Sequence, residues 1–380
     1  MDRIHGCSKH EFLEYRRILD NFNIVNGDIA KIRVVKNGRI NNTAVINIIT
    51  VDGVKKYTLQ RINEVVFQNP VELMKNVSSV TEHIRAKKGT SLCVNTVKNP
   101  VKSAYVYFDK DTKSYWRLYD YVEADVKNRV ECAEDMYQLG RAIGEFAKYL
   151  SDFPASELVE TIPDFHNTAK RYAAFCGTLK NDAKFFRDSR VNTCREEVEF
   201  IKARSGEVTK IVNALYENEI PLRVSHNDTK LNNVLFDKET GKPMCLIDLD
   251  TVMPGTVLYD FGDAARYGCN TESEEAASVE NVSFNMEYFA YLVEGLLCSM
   301  KENITKKEVE LLVDSVWMMT FELAIRFLDD HIDGNHYFGV EYDGKNLERA
   351  RVQMALLCDI EKKYDEMKEL VKEIWNAISD

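Results

Sequence analysis

The stretch Val224-Ser-His226-Asn-Asp228-Thr-Lys230-Leu-Asn-Asn233-Val-Leu-Phe236 decides how this 380-residue chain is read. Asp228 and Asn233 stand five apart, flanked by apolar Leu222 and Val224 on one side and Val234-Leu-Phe236 on the other. Further on, the apolar run Cys245-Leu-Ile247 ends on Asp248, with Asp250 two positions later. Phosphoryl transfer from a nucleoside triphosphate uses such parts. A carboxylate must orient the attacking hydroxyl and accept its proton, and Mg²⁺ needs oxygen ligands such as an amide and a second carboxylate. In a kinase catalytic loop of the form H-x-D-x-x-x-x-N the Asp is the base and the Asn a metal ligand. His226, Asp228 and Asn233 have that spacing, Asp248 stands where the second metal-binding aspartate belongs, and Lys230 is placed to reach the γ-phosphate. His226 reads as architectural. An H-x-D pair alone is more often a capped turn; the second apolar strand ending on Ile-Asp and a β-rich front half tip the balance.

That front half occupies the first 120 residues. Ala30-Lys-Ile-Arg-Val-Val35, Thr43-Ala-Val-Ile-Asn-Ile-Ile-Thr-Val51 and Tyr57-Thr-Leu59 read as strands. Turns are expected at Lys36-Asn-Gly38-Arg and Asp52-Gly53, where glycine supplies φ > 0. Pro70 opens a helix to about Lys87, with Val71, Met74, Val77, Val80 and Ile84 as its apolar stripe. Strands return at Ala104–Phe108 and Tyr115–Tyr119. Beyond them the sequence predicts helices over Cys132–Leu150, Cys194–Asn218, Thr305–His331 (with a Thr305/Glu308 capping box) and from Asn346 onward. Ala155–Asp188 and Tyr267–Ser283 read partly as loop. The expected class is α+β, with a β-rich unit over 1–120, a mainly helical unit over 121–380 and a hinge at about 119–125.

Composition narrows the setting. Hydrophobic residues make up 45% of the chain, enough for a large core, and 50 basic against 61 acidic residues give a net charge of −11. A whole-chain basic footprint for nucleic acid is therefore absent. No apolar run approaches the roughly 18 residues of a membrane span, and the N-terminus lacks the layout of a signal peptide. Nine cysteines, scattered singly, suit reduced thiols. The expectation is a cytoplasmic protein with a small-molecule substrate and no evident nucleic-acid, membrane or obligate protein partner.

The catalytic-loop stretch, together with Ile247-Asp-Leu-Asp-Thr-Val-Met-Pro-Gly255 and Leu258-Tyr-Asp260-Phe-Gly-Asp263, resembles the aminoglycoside-phosphotransferase/choline-kinase superfamily. More narrowly the chain resembles bacterial N-acetylhexosamine 1-kinases. The narrower likeness rests on Leu59-Gln-Arg61-Ile-Asn63, Val80-Thr-Glu82-His-Ile84, and Arg326-Phe-Leu-Asp-Asp330-His-Ile-Asp-Gly334-Asn-His-Tyr337-Phe338. The resemblance implies a bilobed, protein-kinase-like fold with ATP at the hinge, where Tyr121 stands, Mg²⁺ as cofactor, and a sugar held by the helical lobe through Arg326 and Tyr337. It also implies that Asp260 braces the catalytic loop.

Departures from protein kinases leave choices open. Only Gly38 stands in the expected phosphate loop, so the side-chain amides of Asn41 or Asn42 are candidates to help hold phosphate. No V-A-I-K lysine is present; Arg61 is the candidate cation for the α/β-phosphates, with Glu72 or Glu82 as its helix partner. Asp250 either extends the metal shell or accepts a sugar hydroxyl. Arg326, in the apolar run Phe321-Glu-Leu-Ala-Ile-Arg326-Phe-Leu328, must be paired or face a site; Asp329 and Asp330 are the alternative partners. The anomeric hydroxyl is the most acidic on a free sugar, which makes C1 phosphorylation chemically reasonable. Rival acceptors are a hexose, choline, ethanolamine, homoserine or an aminoglycoside. A metal phosphohydrolase built on His226, Asp228, Asp248 and Asp250, and a pseudokinase, are the rivals of other classes.

Overall fold

Asp52-Gly53 turns the chain back on itself: Gly53 takes φ +114°, and Thr50 Oγ1 donates to the Gly53 carbonyl at 2.9 Å. The strands on either side pair in register from Thr50↔Gly53 to Asn42↔Arg61. In the computed structural model, which describes residues 3–4, 7–22, 24, 27–35, 40–88, 94–98, 104–184 and 189–379, this hairpin is the centre of a five-stranded antiparallel sheet. Its strands are β1 (Asp28–Val35), β2 (Asn42–Thr50), β3 (Gly53–Arg61), β4 (Tyr107–Asp109) and β5 (Ser114–Asp120), in the spatial order β1-β2-β3-β5-β4. Two helices accompany the sheet, α1 (Lys9–Leu19) and α2 (Pro70–Lys88). The first, not anticipated from the sequence, is started by a Ser8/Glu11 capping box. Of the stripe read along the second, Met74, Val77, Val80 and Ile84 are buried, while Val71 is exposed.

The chain divides into two compact units. The first comprises 1–125 together with 157–162 and 236–252; the second comprises 126–156, 163–235 and 253–380. Within the first, period-two alternation splits β5. Trp116 and Leu118 join Tyr15, Ile18, Phe22, Ile32 and Ile46 in one core, and Arg117 therefore points to the other face. There it is buried, with its Nη1 3.6 Å from Met74 Sδ. Its guanidinium grips both oxygens of buried Asp250, with Nη2 to Oδ2 at 2.9 Å and Nη1 to Oδ1, and its Nε donates to Gln60 Oε1 at 2.9 Å.

The second unit is helical: α3 (Ala133–Tyr149), α4 (Thr168–Asp182), α5 (Arg195–Arg204), α6 (Lys210–Tyr216), α7 (Val257–Gly268), α8 (Met286–Met300), α9 (Lys306–Glu310), α10 (Leu312–Asp333) and α11 (Lys345–Ser379). A short antiparallel pair, β6 (Arg223–Ser225) and β7 (Met253–Gly255), carries the catalytic-loop sequence. Helices α3 and α8 meet backbone to backbone. A Cβ on Gly140 would lie 2.3 Å from the Leu292 carbonyl oxygen, and one on Gly295 2.1 Å from that of Tyr137, so only glycine fits either position.

Three sequence expectations need correction here. Cys194–Asn218 is not one helix but α5 and α6 separated by a 3₁₀ turn over Ser205–Glu207, where Gly206 is a poor helix former. The Thr305 capping box is present, yet α9 ends at Leu311 (φ −96°, ψ 1°) before α10 begins. The stretch read partly as loop over Ala155–Asp188 contains α4, opened by Asn167, whose side chain accepts the Lys170 N–H at 3.1 Å. Only Thr168, Phe175 and Asp182 of α4 are buried, which is too sparse a pattern to show as an apolar stripe. Among the described residues no helix is long and apolar enough to cross a membrane, and the described cysteines are free thiols.

Removing one partner of a buried ion pair strands the other charge, at a cost of about 3–5 kcal/mol. Arg117→Met should therefore destabilise the protein by about that amount in urea unfolding. The double variant Arg117→Met/Asp250→Leu should recover most of the loss, because neither charge is then left unpaired.

Candidate active site

In the helical unit the catalytic loop hangs on one carboxylate. Asp260, buried in the first turn of α7, accepts from Ser225 Oγ (3.0 Å), the His226 N–H (3.0 Å) and the Asn227 N–H (2.7 Å). Thr229 Oγ1 donates to the Asp260 carbonyl at 2.5 Å. Burial pushes the Asp260 carboxyl up despite these donors. Asn227, held this way, adopts the left-handed conformation (φ +64°), which Asn tolerates better than most residues. His226 is fully buried, edge-on to Phe146, and its Nδ1 accepts the Asp228 N–H at 3.3 Å.

This turn brings Asp228, Lys230 and Asn233 together. Lys230 Nζ lies 3.0 Å from Asp228 Oδ1, and Asn233 Nδ2 donates to both the Asp228 carbonyl and its Oδ2 at 2.9 Å. Burial raises the Asp228 carboxyl, but the Lys230 charge, with His226 and the Asn233 amide, outweighs it and holds the group below the usual carboxylate range. The same ion pair pushes the Lys230 ammonium up. Nearby Arg266 is buried and committed to Asp263 (2.9 Å) and Glu274 (2.7 Å).

A second cluster in this unit surrounds Arg326. Its guanidinium carbon lies 4.9 Å from the Phe165 ring centroid, 5.6 Å from Tyr337 and 5.5 Å from Phe338, and Nη2 donates to Tyr337 Oη at 3.4 Å. The nearest carboxylate partner is Glu322, at 3.9 Å, one turn earlier on α10. Asp330 is occupied elsewhere. Its oxygens accept the Tyr337 N–H (2.7 Å), the Phe338 N–H (2.9 Å) and Asn346 Nδ2 (2.8 Å), which fixes the loop after Gly334 (φ +109°) ends the helix. The structure brings the two residues named from the sequence, Arg326 and Tyr337, together, and adds Phe165 and the hydrogen bonds of Asp330 around them.

The remaining candidates lie in the sheet-bearing unit. Asp248 is exposed and left-handed (φ +61°) at the head of the 3₁₀ turn Leu249–Thr251. Asp250 differs from the expectation of a metal or sugar contact, since both its oxygens are taken by Arg117 and Asn41 Nδ2 (2.7 Å). Asn41 in turn accepts the Asn63 N–H at 3.0 Å, so its amide is spent within this network rather than left for phosphate. A charged residue inside the otherwise apolar Tyr115-Trp-Arg-Leu-Tyr119 was the signal for Arg117. Arg61 ends β3 and makes no ion pair among the described residues. Glu82 instead meets Lys98 (3.3 Å) and Tyr105, and Glu72 meets Lys75 (3.7 Å), so neither glutamate pairs with Arg61. Tyr121 follows β5 and donates its N–H to the Lys56 carbonyl at 3.0 Å. Gly38 lies outside the described residues.

Mg²⁺ prefers hard oxygen donors, takes few of them from protein and completes its octahedron with phosphate and water. Asn233, whose Nδ2 is spent on Asp228, has its Oδ1 to offer, and Asp248 has a carboxylate; each fits that role. Among the described residues no group of three or more His, Cys, Asp and Glu side chains could hold a metal ion by itself.

A β-rich unit, a helical unit and a braced H-x-D-x₄-N loop define a kinase-like phosphotransferase. Residues 95–287, just over half the chain, match the model of the phosphotransferase enzyme family (APH), and the chain belongs to that family. Among solved structures it is similar to an aminoglycoside phosphotransferase from Alicyclobacillus acidocaldarius, with a TM-score of 0.60 at 13% identity over 94% of this chain and 96% of that one. It is also similar to choline kinase from Cryptosporidium parvum, with a TM-score of 0.55 at 12% identity over 91% and 92% of the two chains. Ethanolamine kinase from Plasmodium vivax gives a TM-score of 0.53 at 14% identity over 86% and 82%. At these identities the likeness is one of fold.

Because Lys230 is the chief counter-charge of Asp228, Lys230→Gln should move the Asp228 titration to higher pH in a carboxyl-carbon NMR experiment. The sign is Coulombic, because loss of the ammonium leaves burial to raise the carboxyl, and linkage carries it to stability. A carboxylate depressed in the folded chain adds stability above its unfolded value and loses it as pH falls through the folded one. Unchanged titration of Asp228 in Lys230→Gln contradicts the assignment.

Proposed function

We propose that this phosphotransferase moves the γ-phosphoryl group of ATP to the anomeric hydroxyl of an N-acetylhexosamine, giving the sugar 1-phosphate. The carrying observation is the Arg326 cluster. A quaternary ammonium is recognised by aromatic rings around a cation, and here three such rings already surround the chain's own guanidinium. With that guanidinium already between the rings, the cage is taken, which argues against the ammonium groups of choline, ethanolamine and aminoglycosides. A fork of N–H donors beside a phenol suits a neutral ring rich in hydroxyl and carbonyl oxygens.

Asp228 is the base. A carboxylate held low is a weak base, which suits an acidic hydroxyl and a loose transition state in which the proton leaves late. Lys230 would exchange its contact with Asp228 for the transferring phosphoryl group. Asn233 Oδ1 in the helical unit and the Asp248 carboxylate in the sheet-bearing unit are each proposed as Mg²⁺ donors, and Mg²⁺ when bound would offset charge on the phosphate oxygens. In the sheet-bearing unit Arg61 and Tyr121 are the proposed nucleotide contacts, with Gly38 on the phosphate loop. Asp250 is reassigned to bracing the turn that carries Asp248. The choline and ethanolamine kinases that share the fold support a nucleotide donor and a small acceptor.

An acceptor screen with ATP, read by phosphorus NMR, tests the reading. It should show a sugar 1-phosphate with N-acetylhexosamines; phosphorylated choline or ethanolamine and no sugar product would overturn it. Arg326→Ala should lower kcat/KM for the sugar at least about tenfold while KM for ATP changes little. The nucleotide side is tested separately. Asp228→Asn should reduce kcat by orders of magnitude with ATP binding nearly intact, and calorimetry on Asp248→Ala should show weakened Mg·ATP binding.

A further inference from the structure

The catalytic loop and the Arg326 cluster are joined by two buried side chains that neither assignment uses. His166 sits just before α4, packed against Phe165 (ring centroids 4.5 Å apart) and Tyr259 (5.3 Å). Its Nε2 meets the Asn227 carbonyl oxygen at 3.3 Å and its Nδ1 meets Glu322 Oε1 at 2.8 Å. Glu322, fully buried on α10, also accepts from Thr168 Oγ1 at 2.7 Å and lies 3.9 Å from Arg326 Nη1. Burial raises the Glu322 carboxyl, but His166, Arg326 and Thr168 together hold it low, so it serves as the shared anion of the cluster. Asn227 immediately precedes Asp228, and its own N–H is fixed by Asp260. One line of polar contacts therefore runs from the residue beside the base, through His166 and Glu322, to the guanidinium that touches Tyr337.

We propose that His166 and Glu322 are positioning residues that keep the Arg326–Tyr337 clamp in register with Asp228. The inference rests on the acceptor-clamp reading above. Burying an imidazole and a carboxylate is costly unless both are satisfied. A purely structural need at this place could be met by apolar packing of the same volume. What apolar packing cannot do is tie the backbone carbonyl beside the base to the helix that carries the clamp. Reaction geometry is sensitive at this scale, since a displacement of about 1 Å can cost about a hundredfold in rate. Through this line α10 carries the acceptor while the Asn227 carbonyl reports where the base is. Neither His166 nor Glu322 has to touch substrate.

A double-mutant cycle with the full-length protein and the sugar accepted by the wild type tests the inference. His166→Phe keeps the ring packing against Phe165 and Tyr259 but removes both polar contacts. It should lower kcat for the sugar at least about tenfold and leave KM for ATP within about twofold. Residues acting as one unit are non-additive. The His166→Phe/Arg326→Ala protein should therefore be no more than about threefold worse than the worse single variant, whereas independent effects multiply to about a hundredfold. His166→Gln, which can still reach one of the two oxygens, should restore part of the rate, and it carries the same cycle if His166→Phe does not fold. Multiplying effects overturn the positioning role and leave the clamp standing. So does His166→Phe with a lower Tm and wild-type kinetics. A silent Arg326→Ala overturns the clamp and this inference together.

Discussion

The loop that carries Asp228, Lys230 and Asn233 depends on the Asp260 carboxylate and the three donors that meet it. A carboxylate taken out of water is among the costlier groups to bury, and it persists only where hydrogen bonds replace its hydration. Ser225, His226 and Asn227 supply those bonds from consecutive positions, two of them through backbone N–H groups. Geometry does the rest. With those N–H groups fixed, Asn227 is forced into the left-handed region, and the chain turns sharply enough for Lys230 and the Asn233 amide to reach the Asp228 carboxylate. The position of Asp228, the proposed base, is thus set by backbone conformation before any of its side-chain neighbours is counted.

The depressed Asp228 carboxyl and the raised Lys230 ammonium are two sides of one ion pair. Lys230 therefore favours the ionised form of Asp228, and in the proposed reaction it covers one face of that carboxylate until a more negative group draws the ammonium away. A transferring phosphoryl group has the right charge to do so. In the sheet-bearing unit a comparable economy holds. Arg117, Gln60, Asn41, Asn63 and Asp250 form one satisfied network, and its effect is to fix the turn on which Asp248 is presented.

How much of this was legible in the sequence depended on whether the signal was local. The Asp52-Gly53 hairpin, Pro70 at the start of α2, the Thr305 capping box and the spacing of His226, Asp228 and Asn233 are short-range patterns, and each appears in the structure. Features set by tertiary contact were not readable. Arg117 and Asp250 are 133 residues apart, and nothing local to either names the other. The same distance in sequence explains why Asp250 was expected at metal or sugar. Helix α4 escaped notice because its buried face is thin. The break at Leu311 has no obvious marker such as proline or glycine.

The links in the helical unit also differ in how far along the chain they reach. The Arg326–Tyr337 contact closes 11 residues, the Asp260 bonds close 33 to 35, and the His166–Glu322 contact closes 156. Closing a flexible loop costs about 0.6 kcal/mol more for each doubling of its length. By that scale alone the longest of these links is roughly 2 kcal/mol harder to close than the shortest. The proposed clamp, between α10 and the loop that follows it, is therefore the least costly of these links to close, and the Asp228 turn comes next. The expense falls on the contact that holds the two in register. In conformational entropy, the His166–Glu322 contact is the least local of these links, and so the one most exposed to destabilising substitutions far from either group.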